Sequence, residues 1–198
     1  MRRGFLPVLA ITVGSTMVAA CASVTLRTPE SRRYFAEAVT ENWSDYSRLQ
    51  AARLMEEYGP PDKVGHAELV WNDKGVWKRI RVWDVTPYYD SNTGSPNLEQ
   101  TVSYPVLPET RAQLAALGRK VQVSSDGTEL SARGTSETAN LLSLNLAEEI
   151  LAGRRSPADA ARFYESMINL SISGKSSPYL ERLLFTPRPA GPASGGAR

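Results

Sequence analysis

One cysteine and one histidine among 198 residues exclude most of the chemistry that small domains draw from their side chains. A zinc site needs three or four good ligands, and Cys21 with His66 supplies two at most. No disulfide can form within the chain. A Ser–His–Asp triad would have to use His66, and no Gly-x-Ser-x-Gly elbow accompanies it. The glycines between 191 and 196 precede no helix pattern, so no phosphate-cradling loop is present. Net charge is also missing. The chain has 23 basic and 21 acidic residues. The excess is Arg2 and Arg3 at the start, and the remainder is balanced. Without a basic field, a nucleic-acid partner is not expected. Nor is there an apolar run of the roughly 20 residues needed to span a bilayer. The longest, from Phe5 to Ala20, is interrupted by Pro7, Thr12, Gly14, Ser15 and Thr16.

What is present begins with that interrupted run. Arg2-Arg3, the apolar stretch and the small residues Ala19-Ala20 have the three-part order of a secretory signal. Val18-Ala19-Ala20-Cys21 resembles the lipobox of a bacterial lipoprotein precursor: an aliphatic residue, two small residues and the thiol that takes the lipid. The resemblance implies cleavage before Cys21, transfer of a diacylglyceryl group carrying palmitate-type chains to its sulfur, a third chain on its freed amine, and attachment to a membrane. Two or more chains anchor stably where one does not. Ala22 rather than Asp after the cysteine resembles the sorting pattern of outer-membrane lipoproteins. That implies a place in the cell envelope, on the outer membrane facing the periplasm. Arg2-Arg3-Gly4-Phe5-Leu6 also carries part of a twin-arginine export pattern, although plain positive charge accounts for it.

Four segments are expected: a signal peptide at 1–20, an acylated cysteine and tether at 21–29, one α+β domain at 30–185, and a Pro/Gly-rich disordered tail at 186–198. Pro29 to about Thr40 reads as a helix with a stripe of Tyr34, Phe35, Ala38 and Val39. A second helix starts at a Ser44 or Asp45 cap, presents Leu49, Ala52 and Met55 to the core, and stops at Gly59-Pro60-Pro61. From Gly65 the period becomes two. A hairpin forms through Asn72-Asp73-Lys74-Gly75, with Val76 to Asp84 as its second strand, and Leu98 to Val106 is a third. Pro108 to Leu117 reads as a short helix. Asp126-Gly127 suits a type I′ turn that pairs Ser125 with Thr128, Val123 with Leu130 and Val121 with Ala132. Thr135 to Ala152 is a long helix lined by Ala139, Leu142, Leu146 and Ile150. Ser156-Pro157-Ala158-Asp159 starts another, running to Ile172. The sum is an antiparallel sheet of about five strands between an N-terminal and a C-terminal helix pair.

Candidate contact residues come from the second strand. Trp77, Arg79, Arg81 and Trp83 share one face by parity, opposite Ile80 and Val82. Indoles interleaved with guanidiniums suit stacking on sugars or cation–π contact. Asp62, in the rigid corner Tyr58-Gly59-Pro60-Pro61-Asp62, is a second candidate. Glu56-Glu57 and Glu148-Glu149 are neighbours on helices, so their side chains diverge and read as solvated faces rather than an acid pair for glycoside hydrolysis. No catalytic residue, metal or cofactor is expected. The expected partners are the bilayer, through Cys21, and an envelope protein or cell-wall glycan. A small molecule or glycan bound by the Trp/Arg face is the alternative, and a carboxylate-dependent hydrolase the least favoured.

Tyr58-Gly59-Pro60-Pro61-Asp62, Leu69-Val70-Trp71, Gly75 and Trp77-Lys78-Arg79 resemble a group of uncharacterised bacterial envelope lipoproteins. Leu98-Glu99-Gln100-Thr101-Val102, Ser131-Ala132-Arg133 and the run from Asn140 to Ala147 continue the likeness, which covers most of residues 45 to 170 and implies no activity. The lipobox, the helices before the sheet and the Gly-x-Pro corner are also similar to the SmpA/OmlA type of small outer-membrane lipoprotein. That family's Gly-Met-Thr turn is missing here, and two C-terminal helices are added.

Overall fold

A computed structural model describes residues 28–86 and 95–188. The signal, Cys21 and the tail beyond Arg188 lie outside the described residues. Helix α1 (Pro29–Thr40) opens with a Thr28 capping box and Pro29 in its first turn. Helix α2 (Asp45–Tyr58) is capped by the Ser44 hydroxyl and ends at Gly59, whose φ of 76° places it on the positive-φ side that glycine tolerates best.

Both helices are rotated from the expected faces. In α1 the buried residues are Ala36 and Thr40, while Tyr34 is 68% exposed. In α2 they are Ser47, Ala51, Leu54 and Met55, while Leu49 is 55% exposed. A polar contact accounts for the α2 rotation. The Ser47 hydroxyl accepts from the Val85 amide at 3.1 Å and from Asn97 Nδ2 at 3.4 Å, so this serine must face the sheet.

Six antiparallel strands follow: β1 (Lys63–Val64), β2 (Glu68–Lys74), β3 (Trp77–Trp83), β4 (Leu98–Ser103), β5 (Val121–Val123) and β6 (Glu129–Gly134), in spatial order β1-β2-β3-β4-β6-β5. The strand beyond the expected five is β1. The Pro60-Pro61 corner sets it in place: the Asp62 amide donates to Val70 O at 2.8 Å, and Asp62 Oδ2 accepts from the Asn72 amide at 2.8 Å. The short helix expected from Pro108 is a 3-10 segment (Pro108–Lys120), broken at Gly118 with φ 60°, which carries the chain from β4 to the far edge.

Register puts Leu69, Trp71, Ile80, Val82, Leu98, Gln100, Val102, Leu130 and Ala132 on one face, and all nine are fully buried. Helix α3 (Glu137–Leu151) crosses this face. Ala139, Leu142, Leu146 and Ile150 are buried as expected, and so is every residue from Ala139 to Glu148. The far side of α3 is covered by α4 (Pro157–Ile172) and by the strap through α5 (Pro178–Glu181). Each fully buried leucine contributes about 1.5–3 kcal/mol. Asn145 ties the strap down: its Nδ2 donates to Tyr179 O at 3.1 Å and Arg182 O at 2.9 Å, and its Oδ1 accepts from the Leu184 amide at 2.8 Å. The Arg188 amide donates to Ser103 O at 2.8 Å, so ordered packing continues past residue 185. The fold is an α+β domain, with helices on one sheet face and, among the described residues, none on the other.

Candidate functional site

The uncovered sheet face carries most of the expected contact residues, in an altered form. Arg79, Arg81 and Trp83 lie there. Trp77 does not: it is 3% exposed, and its indole N–H donates to the Tyr58 hydroxyl at 3.2 Å. The hairpin turn explains the correction. Asp73 (φ 51°) and Gly75 (φ 58°) leave the regular pleat, so strict alternation fails at the first residue of β3. Trp77 is core and cannot touch a partner.

The guanidiniums of this face are already engaged. Arg81 Nε and Nη2 donate to Glu68 Oε2 at 3.1 and 2.5 Å, and Nη1 to Glu99 Oε1 at 3.3 Å. The other oxygen of Glu99 accepts from Arg133 Nη2 at 3.0 Å. Hydrogen bonding to Glu68 holds the Arg81 guanidinium above its ordinary pKa. Arg79 and Lys78 both meet Glu129 at 2.9 Å. Burial pushes the Glu129 carboxyl up, but these two cations outweigh it and hold the group below its usual value. Arg133 stacks on Trp83, 4.6 Å from the ring centroid. Four cations thus share three carboxylates, and the members of this network cover one another.

Asp62 is similarly occupied. Besides the Asn72 amide it meets Lys74 Nζ at 3.5 Å. Its work in the fold is to hold the corner against β2. His66 is exposed in the turn before β2, and its carbonyl accepts from the Trp43 indole at 3.1 Å. Of the adjacent acids, Glu56 and Glu57 are exposed, but Glu148 and Glu149 do not form a solvated face. Glu148 is buried against Arg154, and Glu149 accepts from Arg155 at 2.5 Å and from Tyr179 at 2.6 Å. Among the described residues no group of three or more His, Cys, Asp or Glu is placed to hold a metal ion. None of their helices is long and apolar enough to cross a membrane.

This face ends in a concavity. Where β6 gives way to α3, a cavity of ≈ 430 Å³ opens between Trp83 and Arg133 of the sheet, Thr135, the pair Arg119-Lys120 and Tyr164 of α4. Lys120 Nζ lies 4.9 Å from the Tyr164 ring centroid. Burial pushes the Tyr164 phenol up, so its ring stays neutral. Among the described residues no carboxylate lines this cavity. Arg119 and Lys120 make no ion pair among the described residues. Arg133 Nε is shielded from solvent and has no hydrogen-bond partner.

Of the expected contact residues only Trp83 lines this pocket. Arg119, Lys120, Arg133 and Tyr164 were missed. One signal was available: Arg119-Lys120 follows Gly118 in a stretch with no acid from Leu114 to Ser125. A second cavity, ≈ 410 Å³, is lined by Tyr58, Trp77, Glu137 and the C-terminal strap. No protein-family model, curated protein or solved structure matches this chain.

Proposed function

We propose that the chain is a non-catalytic lipoprotein of the bacterial cell envelope. Acyl chains on Cys21 hold it to the periplasmic side of the outer membrane, and it binds a ligand in the concavity beside Trp83. The lipobox-like Val18-Ala19-Ala20-Cys21 supports the anchoring. The binding reading rests on one observation: two cations without a counter-ion among the described residues stand beside two aromatic rings in one pocket. A flat protein-docking face would suit the leading expectation of an envelope-protein partner, but the charges of the uncovered face are internally satisfied. A concave site with partly exposed rings favours a small molecule or a glycan unit from the cell wall.

Two measurements test this. Metabolic labelling with palmitate should mark the natural protein and not the Cys21→Ser form. Unlabelled natural protein would overturn the anchoring. Native mass spectrometry of protein extracted in mild detergent should show a non-covalent adduct that Trp83→Ala loses. An adduct retained by Trp83→Ala, or absent from both forms, would overturn the pocket reading.

A further inference from the structure

We infer that the pocket takes a phosphate ester, with the phosphate held by Arg119, Lys120 and Arg133 and its organic part against Trp83 and Tyr164. This rests on the reading of that pocket as the binding site. Among the described residues three cations line one cavity and no carboxylate does. Arg133 shares Glu99 with Arg81, at 3.0 and 3.3 Å, and still has Nε unpartnered. Among the described residues Arg119 and Lys120 have no acidic partner. Arg119 is exposed and Lys120 and Arg133 are half-buried, and like charges gathered at one cavity repel, so an anion bound there relieves that repulsion.

Donor number narrows the anion. A carboxylate offers two oxygens, whereas a phosphate monoester presents three, one for each of Arg119 and Lys120 on the 3-10 segment and Arg133 on β6. Lys120 lies over the Tyr164 ring and, among the described residues, on no acid, so its ammonium keeps its donors for a ligand. Arg133 stacks on Trp83 and gives Nη2 to Glu99, which leaves it part of its fork. The ≈ 430 Å³ cavity is at the small end for organic ligands and suits one phosphate with a glycerol- or sugar-sized group. A soluble sugar or glycerol phosphate and the headgroup of an anionic phospholipid share this chemistry.

The test is calorimetric titration of the intact lipidated protein in neutral detergent. The probes are inorganic phosphate, glycerol 3-phosphate, acetate and N-acetylglucosamine. Both phosphates should bind, more weakly as salt rises, with acetate and the neutral sugar weaker. An Arg119→Gln/Lys120→Gln double variant, altered at the pocket rim, should lose about tenfold or more in affinity, as expected for two charge-assisted hydrogen bonds. Doping the micelles with phosphatidylglycerol distinguishes the sources. Loss of glycerol phosphate binding identifies the lipid headgroup, and retention identifies a soluble ester. Failure of both phosphates to bind, equal binding of acetate, or unchanged affinity in the double variant would overturn the inference. If the Trp83-dependent adduct persists while the phosphate titrations are blank, the pocket holds another ligand and only the phosphate assignment falls.

Discussion

The hydroxyl of Tyr58, the last residue of α2, donates to the Glu137 carboxylate in the first turn of α3 at 2.9 Å. This bond joins the N-terminal and C-terminal helices beneath the sheet, across 79 positions of sequence. Tyr58 also accepts from Trp77 at 3.2 Å, so the strand enters the same junction. Burial and the neighbouring Glu137 push the Tyr58 phenol far above its ordinary pKa, which keeps it a donor at any working pH. Removing the hydroxyl leaves a half-buried carboxylate and an indole N–H short of a partner. Tyr58→Phe should therefore destabilise the domain by about 1–3 kcal/mol, read from urea unfolding with an unchanged slope.

Glu137 gives a pH prediction. Burial, with help from Glu57, raises its carboxyl above the usual value, against the opposing hydrogen bonds of Tyr58, Gln100 and Trp77. The folded state thus holds this proton more tightly than the unfolded chain, whose value is near 4.3. The group lowers stability as pH rises from about 4.3 through its folded value, and the penalty is complete above that. Glu137→Gln keeps an acceptor for Tyr58 and has no charge to bury. Its melting temperature should change less with pH than the natural protein's across that window, and at neutral pH it should be at least as stable. A parallel pair of curves would refute this.

Glu99 is 5% exposed and lies between Arg81 and Arg133. Either arginine alone can satisfy much of its charge. Arg81→Met or Arg133→Met singly should be tolerated at about 1–3 kcal/mol. Together they strand a buried carboxylate, so the double variant should cost more than the sum, by about 0.5–3 kcal/mol of coupling. Additive losses in a double-mutant cycle would show that the two ion pairs act independently.

The local chemistry of the fold was legible where one residue type decides it. Ser44 and Ser156 cap their helices through side-chain hydrogen bonds, Gly59 ends α2, and Val121 pairs with Ala132 in the expected register. Helix faces were less legible. Apolar spacing in α2 favoured Leu49 and Ala52, but the hydrogen bonds of Ser47 to Val85 and Asn97 turned the helix, and both partners are 38 or more residues away. The pocket was nearly invisible for the same reason. Its cations and rings come from β3, the 3-10 segment, β6 and α4, and nothing local links Lys120 to Tyr164. Parity placed Trp77 beside Arg79, and the turn at Asp73 moved it into the core.

The Asp126-Gly127 turn illustrates the same limit and supplies the last prediction. A type I′ turn needs positive φ at both central residues. Only Gly127 has it, at 75°. Ser125 and Thr128 do not pair. Instead Gly127 N donates to Ser124 O at 3.0 Å, and Thr128 O accepts from the Tyr104 amide at 2.9 Å, so the loop is stitched to the chain leaving β4. The Asp126 carboxylate stabilises it by accepting from the Ser124 hydroxyl at 2.5 Å and from Thr128 at 3.1 and 2.9 Å. These bonds lower its pKa to about 2. The contribution is present above the unfolded value of about 3.9 and is lost as pH falls through about 2. Asp126→Asn should flatten the acid limb of the melting curve between those values and leave the neutral limb parallel to the natural protein's. At Gly127 a Cβ would meet Arg111 Nη2 at 2.7 Å and the Val106 carbonyl at 2.9 Å. The arginine can swing away, but the backbone oxygen cannot. Gly127→Ala should therefore cost about 1–2 kcal/mol from φ strain alone, and more from the carbonyl contact. Chemical denaturation at neutral pH measures it, and a loss below about 0.5 kcal/mol would mean the loop relaxes without detaching from Tyr104.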